Sequence, residues 1–175
     1  TVLIAAALLL AMCSFGHARS VEQAAREIVE DSGVKGGLIV HVGCGDGGLT
    51  AALRDGEHYV VQGLEVDSEK VQQARDHIVS RGLHGPVSVA RWDGGNLPYA
   101  ENLVNLLVVD GSLSVEKEEV LRVLCPGGVA ITTGEQGEPL IADRLVKPSP
   151  EEIDEWTHWL HGPDGNAVAR DRRAG

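Results

Sequence analysis

Apolar positions along this chain change rhythm several times, and each change marks an element. From Val21 to Asp31 they fall at 21, 24, 25, 28 and 29, the spacing of one helix face, with Ser20 and Gln23 placed for a capping box and Gly33 as the stop. Gly37 to Val42 is a short, largely β-branched run that predicts a strand, followed by six residues containing four glycines (43–48) and a helical stretch over 49–54. The same unit recurs: a strand over His58–Val66, then a helix over Ser68–Arg81 with apolar residues at 71, 74, 78 and 79. Pro86–Arg91 predicts a third strand. Leu103–Val109 predicts a fourth, nearly continuous in apolar character, as strands covered on both faces are. A helix over Glu116–Leu124 is expected to stop at Pro126-Gly127-Gly128, with a fifth strand over Val129–Thr133.

Strands alternating with helices at this spacing predict an α/β fold, a doubly wound and mostly parallel sheet with right-handed crossovers. Ligands of such sheets bind at the carboxyl ends of the strands. Beyond Pro139 the pattern changes to a short strand within 140–146, the turn Pro148-Ser149-Pro150, a helix over Pro150–Leu160 and a polar tail. At the other end, Val2–Met12 is an uncharged apolar run of signal-peptide length, too short to span a bilayer, with small residues at Gly16 and Ala18 before Arg19. The pattern divides the chain into a leader (1–18), a main domain (19–146) and a linker with a helix leading to a further module (147–175). Export to the periplasm or cell envelope is expected if the leader is a signal peptide; the alternative is an N-terminal hydrophobic helix that anchors or packs, with a cytoplasmic location. The ending reads as a fragment.

Charge narrows the partners. Acidic residues outnumber basic ones 26 to 15, for a net charge of -11, which disfavours a nucleic-acid backbone as partner. Aromatics are 3% of residues, too few for a base-stacking platform. Cys44 and Cys125 have no CxxC spacing, so no zinc site is expected, and with Cys44 in the glycine loop and Cys125 before Pro-Gly-Gly both thiols are expected to be free.

The chemistry concentrates around the glycines. Gly43, Gly45 and Gly47 directly after a strand let the backbone pass under a ligand and turn into the next helix. Glu65, at the end of the second strand, stands where a carboxylate accepts ribose hydroxyls, with Asp67 as its rival. Asp110, closing the fourth strand before Gly111-Ser112, stands where substrate-facing residues sit; a turn or cap role is the alternative. His41 reads as a hydrogen-bonded strand histidine rather than a catalytic base.

The runs VHVGCGDGGLT, GLEVDSEKVQQAR, VARWDGGNLPYAENLVNLLVV and EVLRVLCPGGVAITT, in this order over Gly37–Thr133, resemble the successive motifs of the class I S-adenosylmethionine-dependent methyltransferases. The resemblance implies a Rossmann-like fold and S-adenosylmethionine as cofactor. It implies a cofactor site at Gly43, Cys44, Gly45, Gly47, Glu65, Val66, Asp93 and Gly94. Within that site, Glu65 would hold the ribose, Asp93 would face the adenine amino group, and Trp92 or Leu97 would cover the ring. Asp110 is the candidate catalytic residue. Two positions depart from the family's pattern: His41 stands where an acidic residue is usual, and Asn105 where an aspartate opens the fourth strand, so a carboxylate at the cofactor's amino-acid end is expected to be lost. Family members also continue after the fifth strand with a helix and an antiparallel strand pair. Residues 134–175 leave little room for these, so the sheet is expected to be cut short.

The segment EEIDEWTHWLHGPDGNAVARD is similar to a stretch that precedes a quinoprotein-like β-propeller with pyrroloquinoline-quinone-type repeats in exported bacterial proteins. It implies such a propeller in the parent chain. The residues themselves place His158 and His161 at i and i+3 beside Trp156 and Trp159; a metal pair is the alternative to the expected reading, in which the tryptophans dock this helix on a neighbour and the histidines ride along. Methyl transfer to a small-molecule acceptor is the expected function, and a catalytically silent cofactor-binding or docking module is the alternative.

Overall fold

The structure, a computed structural model, describes residues 20–134 and 143–149. The expected leader, the expected helix over 150–160 with Trp156, His158 and Trp159, the following His161, and residues 140–142 of the expected last strand lie outside the described residues. In chain order the described elements are α1 (Val21–Ser32), β1 (Gly37–Val42), α2 (Gly48–Ala52), β2 (Tyr59–Glu65), α3 (Ser68–Ser80), β3 (Val87–Arg91), β4 (Val104–Val109), α4 (Lys117–Val123), β5 (Leu124–Thr132) and β6 (Asp143–Val146). They form one sheet in the order β3-β2-β1-β4-β5-β6, with β1 to β5 parallel and β6 antiparallel to β5. The Rossmann-like expectation holds, and the sheet extends one strand beyond the fifth.

Local chemistry explains the element ends. Ser20 Oγ accepts the Gln23 N–H at 3.2 Å, one arm of the expected capping box, and Gly33 closes α1 at φ +70°. Asp67 caps α3 by accepting the Glu69 N–H at 2.8 Å. Alternation along the strands then separates two apolar layers. Ile39, Val61, Leu106, Val108 and Ile131 pack under α1, α2 and α3, while Val40, Val42, Leu64, Leu107 and Val109 pack under α4 and the segment between β3 and β4.

That segment, residues 92–103, holds no helix. Trp92 and Leu97 fill the space a crossover helix would occupy, and α4 pins them. Arg122 donates to the carbonyls of Leu97 and Tyr99 at 3.0 and 2.7 Å, and Glu119 accepts the Leu97 N–H at 2.6 Å. The Arg122 guanidinium bonded to Glu119 holds that carboxyl below its ordinary range.

The fifth strand differs from expectation. The chain is already extended at Leu124, which pairs with Val104, and a register shift follows before Leu106 meets Val129. Pro126-Gly127-Gly128 lies in this bulge, where a missing N–H removes no ladder bond. Gly127 donates to the Lys147 carbonyl, and Lys147 donates to that of Gly128, so the segment is tied to the chain leaving β6. At the opposite edge Arg75 Nε covers the Val89 carbonyl at 3.0 Å and His84 bridges to Val87, blunting β3 against pairing with another chain.

Candidate functional site

At the carboxyl edge of β1, β2 and β4 three glycines serve three separate ends. Gly43 (φ +82°) lets β4 approach, because a Cβ there would lie 2.8 Å from both Asp110 Cβ and Leu113 Cδ1. Gly47 (φ +81°) lets α3 approach, because its Cβ would meet Ala74 Cβ at 2.9 Å. Gly45 (φ +54°) alone would point a Cβ into open space, and this is where the backbone can meet a ligand.

The loop's donors are mostly committed. Gly43 and Cys44 both donate to the Leu64 carbonyl, at 2.8 and 3.2 Å, and Gly47 donates to the Cys44 carbonyl. Gly45 donates to Glu65 Oε2 at 2.9 Å, while Glu65 Oε1 accepts from Val66 and Asp67 at 2.9 and 3.2 Å. The carboxylate is buried at 5% exposure. With about four lone-pair positions on two oxygens, three N–H bonds leave one acceptor position, at Oε2. A ribose hydroxyl fits it, whereas accepting both hydroxyls requires giving up the Gly45 bond. Asp46 was not singled out from the sequence. Its N–H has no partner among the described residues, and its Oδ1 holds Gly48 at 2.9 Å.

Cys44 is free and buried, its sulfur packed over Gly63, where a Cβ would lie 2.9 Å away. Burial first, then the charge of Glu65, pushes its thiol up to about 12. Its side chain is therefore a neutral packing group, and only its backbone belongs to the loop. Asp67, the rival carboxylate, is spent on the α3 cap. Val66 is half-exposed beside Glu65.

On the far side of β2, Asp93 and Gly94 are exposed, with Asp93 Oδ1 accepting the Gly95 N–H at 2.9 Å. An open cavity of about 510 Å³ lies here, lined by Arg91, Trp92, Asp93, Asn96 and Pro98. Trp92 is 6% exposed, its indole N–H donating to the Asn96 carbonyl, so it forms a wall of that cavity rather than a mobile lid. Leu97, 2% exposed, sits in the core.

Asp110 is buried at the end of β4, where its Oδ1 accepts the backbone N–H and hydroxyl of Ser112. It lies across Gly43 from the glycine loop. Beneath that loop His41 is buried, with Nδ1 2.8 Å from Thr50 Oγ1 and Nε2 without a hydrogen-bond partner. Burial pushes its imidazole down to about 4, against the opposing pull of Asp110, so the ring is neutral at pH 7.

Asn105 does not belong to this site, contrary to expectation. It is the second residue of β4, near the amino edge of the sheet, five residues or roughly 16 Å from Asp110 at about 3.3 Å per residue. There Oδ1 accepts the Leu38 N–H at 2.9 Å and Nδ2 lies 3.4 Å from Cys125 Sγ. Its side chain ties β4 to β1 and takes nothing from a ligand at the carboxyl edge. Among the described residues no three His, Cys, Asp or Glu side chains are grouped to hold a metal, and no helix is long and apolar enough to cross a membrane.

Comparison with known proteins bears on the same residues. Residues 39–128 match the family described as methyltransferase domain. A ubiquinone/menaquinone biosynthesis C-methyltransferase of Neisseria meningitidis is 28% identical over 145 residues, 78% of this chain and 56% of that protein. The chain thus spans about half the length of the curated relatives it matches. Among solved structures, an S-adenosyl-L-methionine-dependent methyltransferase from Methanococcus maripaludis superposes with a TM-score of 0.58 at 25% identity, over 65% of this chain and 54% of that one. The [4+2]-cyclase SpnF superposes with a TM-score of 0.57 at 28% identity, over 65% of this chain and 44% of its own.

Proposed function

The chain belongs to the methyltransferase domain family, and from that premise we propose that its carboxyl-edge site binds S-adenosylmethionine and presents the methyl group to a small-molecule acceptor. The observation that carries the reading is the Glu65 carboxylate, tethered to Gly45 beside open space with one acceptor position left at Oε2.

S-adenosylmethionine brings an already activated methyl group on a cationic sulfonium. The chain's own task is therefore binding, alignment and exclusion of water. Glu65 accepts a ribose hydroxyl. Gly43, Gly45 and Gly47, with the Cys44 backbone, shape the floor of the methionine and ribose part, and Asp46 offers its N–H there. Val66, Asp93, Gly94 and the Trp92 wall receive the adenine in the cavity beside β3, where Asp93 Oδ2 remains to accept the amino group. Asp110 and Leu113 border the place where the acceptor meets the methyl, and a fixed carboxylate there suits both a cationic sulfonium and an acceptor that must lose a proton. Calorimetry with S-adenosylmethionine and S-adenosylhomocysteine tests the binding. Methyl-labelled cofactor offered with quinols, phenols, thiols, amines and carboxylates tests the transfer. No heat or thermal shift at millimolar ligand, in a folded sample, overturns the reading.

A second reading is a cofactor-binding or docking module without turnover. It is supported by His41, a neutral ring in place of a carboxylate, and by SpnF, a solved structure of this fold that is named as a cyclase. Cofactor binding with no labelled product across the panel selects it. Export and a propeller partner belong with this reading, and sequencing the parent gene beyond both ends tests them.

A further inference from the structure

Three of the seven arginines among the described residues, Arg26, Arg54 and Arg81, line one cleft of about 230 Å³. It lies away from the cofactor edge. Helices α2 and α3 both start at the carboxyl edge and run back along the sheet, so Arg54 and Arg81, just past their ends, stand at the opposite edge. Arg26 comes from α1, and Ala51 and Leu83 give the cleft an apolar floor.

These guanidinium groups are poorly employed within the protein. Arg81 Nη1 reaches Glu22 Oε1 only at 3.9 Å, with both side chains at least half exposed, a pairing worth little. Arg54 Nε is buried with no hydrogen-bond partner. Arg81 closes α3 through its backbone N–H, which donates to the His77 carbonyl at 3.1 Å, so its guanidinium is not needed for the cap. Three cations face two carboxylates, Glu22 and Asp55, so the cleft carries local positive charge in a chain of net charge -11. The overall field repels anions, and only a ligand whose geometry suits the cleft gains from entering it. Planar guanidinium forks from separate elements match a tetrahedral oxyanion.

We propose that this cleft binds a compact oxyanion, a phosphate group held by Arg54 and Arg81 with Arg26 at the rim. The phosphate is either free or carried by a small molecule whose body rests on Ala51 and Leu83.

The test uses the full chain and inorganic phosphate, with sodium chloride at matched ionic strength as reference, read by calorimetry and thermal unfolding. Phosphate is expected to bind and to raise the unfolding midpoint beyond chloride. Arg54→Gln and Arg26→Gln should each bind roughly tenfold more weakly, the loss of one charge-assisted hydrogen bond. Glu22→Gln should bind more tightly, which a merely destabilised fold would not do. Arg26 is exposed on α1, so its variant folds even if Arg54→Gln does not. Phenyl phosphate assigns the source: tighter binding than inorganic phosphate marks a carried group, and equal binding marks the free ion. Phosphate that acts no differently from chloride, or unchanged binding in both arginine variants, overturns the proposal.

Discussion

Glu65 and Gly45 are joined by a 2.9 Å hydrogen bond across the turn between β1 and α2, so the end of the second strand sets the height of the glycine loop. Glu65→Ala removes both that tether and the open acceptor position, and should weaken S-adenosylmethionine binding by roughly 1 to 3 kcal/mol. Glu65→Gln keeps the volume but turns an N–H₂ group toward backbone donors, so it should not rescue binding. Asp67→Ala costs a helix cap, about 1 kcal/mol of stability, and leaves affinity unchanged. Calorimetry paired with urea unfolding separates the two. Equal effects on binding would place the ribose at Asp67.

The glycines separate in the same way. Gly47→Ala drives a methyl group against Ala74 on a backbone at φ +81°, so the variant should unfold at a markedly lower urea concentration. Gly45→Ala meets no protein atom and pays only the left-handed backbone strain, about 1 to 2 kcal/mol. It should stay folded yet lose cofactor affinity, because its methyl occupies the ligand's space. Unfolding curves and binding isotherms of both variants check this, and a Gly45→Ala protein that binds normally would remove Gly45 from the contact surface.

These contrasts mark how far the residues alone carry the structure. Strands β1, β2 and β4 are legible because apolar runs interrupted by glycine have few other solutions. The Glu65 position follows from its spacing after the loop. The separate duties of Gly43, Gly45 and Gly47 are not legible, since each depends on a neighbour far along the chain: Asp110, nothing, and Ala74. Asn105 was misplaced for a similar reason. A polar residue in an apolar strand looks like a site residue until the strand's direction shows that it lies at the far edge, bonded to Leu38. Arg122 stood in a recognised motif, but its duty of pinning Leu97 and Tyr99 needed the path of residues 92–103, whose missing helix no periodicity announces.

His41 should make the fold acid-sensitive. Its imidazole titrates near 4 in the folded chain and near 6.5 when unfolded, so the unfolded state binds the proton first. Stability from this residue is complete above pH 6.5 and falls as pH drops toward 4, by about 3 kcal/mol in full. Thr50 holds one ring nitrogen and burial keeps the other from water, so neither favours the charged form. Urea unfolding at pH 7 and pH 4.5 should show a loss in the native chain that is smaller by about 2 to 3 kcal/mol in His41→Gln. Parallel pH profiles for the two proteins would show that carboxylates alone cause the acid limb.

Asp110 decides between a turn residue and a working carboxylate, because one substitution separates its two abilities. As a turn residue it accepts the Ser112 N–H and hydroxyl through Oδ1, and Asp110→Asn keeps that oxygen. As a group facing the reacting methyl it needs its charge, and Asp110→Asn removes it. The asparagine variant should therefore match the native chain in urea unfolding to within about 0.5 kcal/mol. Cofactor affinity or labelled methyl transfer should fall roughly tenfold, the equivalent of one charge-assisted hydrogen bond. Asp110→Ala, which loses the Ser112 anchor as well, should lose both stability and binding. An asparagine variant that binds and transfers as the native chain does, beside a destabilised alanine variant, would assign Asp110 to the turn alone and leave the acceptor's proton to solvent.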